Sequence, residues 1–110
     1  MESRQERILY KMSSEIANMM KMDTEAGMEG ADFVYSYLKV FASDHPRSIS
    51  NIPLLLNEFY TIMGKKGIKQ RQRRGIGYKI NKILRDNEKA LETLGEEFRW
   101  ETISNENNDL

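Results

Sequence analysis

A chain of 110 residues fits one domain and leaves no room for a second. With 39% apolar and 31% charged residues, the composition excludes a fully disordered chain, a membrane span and a collagen-like fibre; with no cysteine and one histidine, it also excludes disulfides, cysteine-ligated zinc, iron–sulfur clusters, thiol nucleophiles and His–His metal pairs. The formal net charge is zero, yet an evenly mixed surface is excluded too: residues 1–64 hold six basic and nine acidic side chains, residues 65–85 nine basic and no acidic ones, and residues 86–110 two against eight.

The spacing of Ile8, Leu9, Met12, Ile16, Met19 and Met20 predicts a first helix over residues 4–22, with one apolar stripe. Gly27 and Gly30 break the pattern after Asp23, and Met22 and Met28 beside that loop are the methionines expected to be exposed. A second helix is predicted over 31–43 from Phe33, Val34, Tyr37, Leu38, Phe41 and Ala42, with Asp32 as its N-cap. A turn follows at His45-Pro46-Arg47, because proline drives the residue before it out of helical geometry.

A third helix is predicted over 51–63. Ser50 or Asn51 would cap it, Pro53 would sit in its first turn, and Gly64 would supply a left-handed C-cap. Residues 65–75 fit either a short strand or the first turns of a helix. Ile76, Ile80, Ile83, Leu84, Leu91 and Leu94 then predict a fourth helix over 77–94, ended by Gly95. Phe98, Trp100 and Ile103 are the last large apolar residues, and residues 104–110 read as a disordered acidic tail.

The expected fold is therefore all-α: a compact bundle of about four amphipathic helices over residues 1–103, followed by that tail. Its central region is similar to a helix-turn-helix arrangement: residues 53–63 form a helix, Gly64-Lys65-Lys66-Gly67 a glycine-containing turn, and a basic segment enters the next helix. The likeness covers about 30 residues and carries no motif that names a family. The alternative for residues 68–80 is a short basic β-ribbon turning at Arg73-Arg74-Gly75.

The basic block is the feature that points to function. Lys65, Lys66, Lys69, Arg71, Arg73, Arg74, Lys79, Lys82 and Arg85 match the charge density of a polyphosphate backbone. Arg71, Arg73 and Arg74 would reach groove or base edges, the lysines would hold phosphates, and Tyr78 would pack on a sugar or a base. The expected protein is a small non-enzymatic regulator that binds nucleic acid, with DNA as the first choice. The acidic segment after residue 85 would compete with that ligand within the chain. A plainer reading has the acidic segment neutralising the block, and an acidic protein is an alternative partner.

The alternative function is a helical protein-interaction module of inhibitor or immunity type, using the methionines of helix 1 and the aromatic C-terminal region. Packing into the core is the plainer role for the same methionines. No GxGxxG, P-loop, HExxH or EF-hand pattern occurs, so neither cofactor nor metal is expected; His45 reads as a turn residue, and Glu96 and Glu97 as a solvated helix end. Residues 2–7 form no signal-peptide core, and the longest apolar run, residues 52–56, is far short of the roughly 20 needed to span a bilayer. A cytoplasmic location follows, or a nuclear one in a eukaryote, with no membrane partner. A symmetric DNA reader would be a homodimer.

Overall fold

The computed structural model describes the backbone of residues 4–22, 24–25, 28–44 and 48–108, and side chains over 4–22, 29–42 and 52–98. The His45-Pro46-Arg47 turn and the side chains of Met28, Trp100 and Ile103 lie outside the described residues. Five helices are described: α1 (Arg4–Met19), α2 (Gly30–Asp44), α3 (Ser48–Lys65), α4 (Gln70–Asp86) and α5 (Glu88–Asn108). A two-residue antiparallel ladder, β1 (Thr24–Glu25) with β2 (Met28–Glu29), joins α1 to α2. All other regular structure among the described residues is helical, which agrees with the all-α expectation.

α1 buries the stripe read from its spacing: Leu9, Met12, Ile16 and Ala17, with Ser13 satisfied by donating to the Leu9 carbonyl at 2.7 Å. The helix stops three residues earlier than expected. Lys21 turns left-handed (φ 56), its N–H bonds the Asn18 carbonyl at 3.1 Å, and the Met22 N–H bonds the Ala17 carbonyl at 2.9 Å. This is a Schellman cap with a lysine where glycine is usual. It folds Met22 back onto the core, so Met22 is buried and not exposed as expected.

α2 starts at Gly30, which places Asp32 inside the first turn and not at the cap; there it accepts the Tyr10 hydroxyl at 3.1 Å. Val34, Leu38, Phe41 and Ala42 form its inner face. Tyr37 reaches α3 and donates to Glu58 Oε2 at 2.8 Å. Burial, followed by that hydrogen bond and the Glu58 charge, holds the Tyr37 hydroxyl above its ordinary pKa.

α3 begins at Ser48, so Pro53 lies inside the helix, where it leaves the Ile49 carbonyl without its usual donor. Its C-terminal cap is Gly67, not Gly64. Gly67 has φ 82, its N–H bonds the Gly64 carbonyl at 3.0 Å, and the Ile68 N–H bonds the Met63 carbonyl at 3.0 Å. The same motif packs Ile68 beside Met63, both buried.

The expected fourth helix is two helices in the structure. α4 begins at Gln70, so residues 70–80 of the β-ribbon alternative are helical, and Ile68 and Lys69 belong to the turn before it. Gly75 and Gly77 each disfavour a helix by about 1 kcal/mol, but Ile80 and Leu84, fully buried against the core, outweigh them. Asn87 separates α4 from α5: its side-chain Nδ2 donates to the Ile83 carbonyl at 2.8 Å, and its own carbonyl accepts the Leu91 N–H at 3.1 Å. Gly95 therefore does not end a helix. It sits within α5, against the Ala42 carbonyl, where its missing Cβ lets α5 approach α2. The helical backbone extends to Asn108, over residues 104–108 of the segment read as a disordered tail.

α1 and α2 pack together, α5 lies against both, and α3 pairs with α4. One core joins the two groups through Ile16, Met20, Leu38, Leu55, Phe59, Met63, Leu84, Leu91 and Leu94. Lys39 adds a cation–π contact from α2 to the Phe98 ring of α5 at 4.4 Å.

Candidate nucleic-acid interface

α4 has an inner face set by Gly77, Ile80 and Leu84, all buried. The helical repeat turns the opposite face to solvent, and Arg71, Arg74, Tyr78, Lys82 and Arg85 follow one another along it at steps of three or four residues. All five side chains are exposed, Tyr78 to 74%. From Arg71 to Arg85 the stripe extends for about 21 Å. Arg85 is oriented along the helix by its Nε–H bond to Asn81 Oδ1 at 3.0 Å.

Lys65 ends α3, and Lys66 and Lys69 lie in the turn before α4; all three are exposed, as is Lys79 beside the stripe. Eight of the nine proposed cations thus face solvent. Arg73 is the exception. One step off the stripe, it turns toward α3, is half-buried, and lays its guanidinium against Gly64. It belongs with the core side of α4 and not with Arg71 and Arg74, with which the sequence reading grouped it. Among the described residues, Arg71, Arg73, Arg74, Lys79 and Lys82 form no ion pair with a carboxylate.

The start of α4 is electrostatically inverted. Lys69 is its N-cap and makes no side-chain capping bond, and no acidic residue occupies the first turn. Helix N-termini favour negative charge there, because the unpaired N–H groups carry a partial positive charge. Here the first turn holds Arg71 and Arg73 instead.

Beside the stripe, α3 and α4 flank an open groove of about 500 Å³ lined by Tyr60, Thr61, Gln70, Arg73 and Arg74. The Tyr60 phenol also packs over the bare α-carbon of Gly77 in α4. Gln70, like Gln72, is legible in the sequence as a side chain able to hydrogen-bond bases or phosphates, but Tyr60 and Thr61 carry no signal for this role: Tyr60 merely follows Phe59 of the core stripe, and only the α3–α4 pairing brings the three together.

The methionines of α1 do not form a surface. Met12, Met20 and Met22 are buried and Met19 is half-buried. Among the described residues no three His, Cys, Asp or Glu side chains group as metal ligands, and no helix is long and apolar enough to cross a membrane. The chain matches no protein-family profile, no curated protein and no solved structure.

Proposed function

We propose that the protein is a small non-enzymatic regulator that binds nucleic acid through residues 65–85. The observation that carries this reading is the exposed stripe of Arg71, Arg74, Tyr78, Lys82 and Arg85 along α4, continued by Lys65, Lys66 and Lys69 in the preceding turn. Duplex DNA carries one charge per about 1.7 Å of axis, so a cationic ridge of this length meets several phosphates at once. The cationic first turn of α4 supports the same reading, since an anion bound there would relieve the repulsion between Arg71, Arg73 and the helix N-terminus.

In this reading α3, the four-residue turn 66–69 and α4 act as a helix-turn-helix unit, with α4 presented to the groove. Arg71 and Arg74 take base edges or groove phosphates, and the lysines hold the backbone. Arg73, whose guanidinium lies against Gly64 of α3, is placed less directly for such contacts than Arg71 and Arg74. Burial of the α1 methionines weakens the protein-interaction alternative, which relied on them.

Titration against a random duplex at several salt concentrations tests the proposal. Contact with about six phosphates gives a slope of log K against log salt near −5. Absence of binding to duplex and to single strand alike at about 50 mM salt, where such contacts are strong, would overturn it and favour a protein partner.

A further inference from the structure

The groove between α3 and α4 is open to solvent and lined by both apolar and polar atoms. Tyr60 gives it an aromatic wall, and Gln70, Thr61 and Arg73 give it hydrogen-bonding groups. The Thr61 hydroxyl donates to the Asn57 carbonyl at 3.1 Å, which leaves its oxygen able to accept. Arg73 brings a half-buried guanidinium with no carboxylate partner among the described residues. A guanidinium at the mouth of an open groove is placed to pair with an anion or a strong acceptor. The volume, about 500 Å³, suits a group of the size of one nucleotide.

Arg74 connects this groove to the stripe, because it lines the one and belongs to the other. A strand lying along Arg71, Arg74 and Lys82 therefore passes the mouth of the groove. One turn further on stands Tyr78, 74% exposed, and Gly75 beside it has open space where a Cβ would be. A free ring flanked by cations is the arrangement on which unpaired bases stack. Bases within a perfect duplex are stacked on one another and can enter neither site, whereas unpaired bases splay out and offer their edges.

We propose that the α3–α4 groove receives one unpaired nucleotide of a strand bound along α4, so that the preferred ligand is single-stranded or bulged nucleic acid and not perfect duplex. This rests on the phosphate-binding reading above and adds the class of ligand to it. Arg73 and Gln70 address the base or its phosphate, Tyr60 walls the base, and Tyr78 stacks on its neighbour.

The test compares the full chain, by fluorescence anisotropy, on three probes of one sequence: the single strand, the perfect duplex, and the duplex with one bulged nucleotide. The single strand and the bulge should bind at least about fivefold more tightly than the duplex, the low end of what one base–aromatic stack contributes. Thr61 and Gln70 are exposed, so the double substitution Thr61→Ala/Gln70→Ala should fold, which thermal unfolding checks. With that variant the preference for the bulged probe should fall by at least about fivefold, because the groove has lost two of its hydrogen-bonding side chains. Equal affinity of the original chain for all three probes overturns the groove proposal alone, as does a preference left undiminished by both substitutions. Failure to bind any probe overturns the phosphate-binding reading as well.

Discussion

Gly95 of α5 is seated against the main-chain carbonyl of Ala42 of α2, at a distance that leaves no room for a Cβ. This contact sets how closely α5 can lie on α2, and with it the depth at which Leu91, Leu94 and Phe98 enter the core. The atom in the way is backbone and cannot swing aside.

Gly95→Ala should therefore destabilise the protein by about 1–3 kcal/mol, the usual cost of overpacking, despite the better helix propensity of alanine. Gly75→Ala is the matched control. It also lies inside a helix but has open space around it, so it should raise stability by up to about 1 kcal/mol. Urea unfolding of both variants checks the pair, and opposite signs are the expected result.

Lys21 holds a left-handed conformation that glycine adopts without steric cost. Lys21→Gly should stabilise the chain by about 1 kcal/mol, and Gly67→Ala, at the equivalent cap of α3, should destabilise it by a similar amount. Shifts of the thermal midpoint in opposite directions would confirm the two caps.

Tyr37 is held protonated by burial and by its bond to Glu58, so its hydroxyl ionises at higher pH in the folded chain than in the unfolded one. Its contribution to stability is fully present below the unfolded pKa of about 10 and is lost as pH rises from there through the folded value. Tyr37→Phe should be less stable at neutral pH and should show a shallower fall in stability above about pH 10. Chemical denaturation at neutral and alkaline pH measures the difference in slope.

Arg71 and Arg73 are two residues apart and should behave differently. Charge reversal of Arg71, Arg74 and Lys82 should remove at least about half of the salt dependence of duplex binding, since each phosphate contact contributes about −0.9 to the slope. Arg73→Gln, by contrast, should change that slope by less than about one contact and act on the groove. A loss of slope for Arg73→Gln equal to that for Arg71→Gln would place Arg73 on the stripe.

Removal of residues 104–110, which include Glu106 and Asp109, should tighten nonspecific duplex binding if the acidic segment competes with the ligand. Unchanged affinity at low salt would dispose of that competition.

The helical stripes were legible because burial on one face imposes a repeat that can be counted along the chain. Leu9, Met12 and Ile16, then Val34 and Leu38, then Ile52, Leu55 and Phe59, then Ile80 and Leu84 are all inside, as their spacing implied. The run of nine cations was equally plain, since charge is a property of each residue alone. Helix ends were less legible: Gly64, Gly67 and Gly95 are the same residue type, and whether each caps a helix or lies in a crossing depends on what it meets.

Composition and periodicity by themselves determined that the chain is helical, which residues face inward, and where positive charge gathers, because these follow from local spacing and side-chain type. Tertiary packing alone decided that the long last helix divides at Asn87, that Gly95 admits Ala42, and that Arg73 turns inward while Arg71 and Arg74 face out. It also created the groove of Tyr60, Thr61 and Gln70, since the pairing of α3 with α4 is a contact between segments whose one-dimensional pattern holds no record of their meeting.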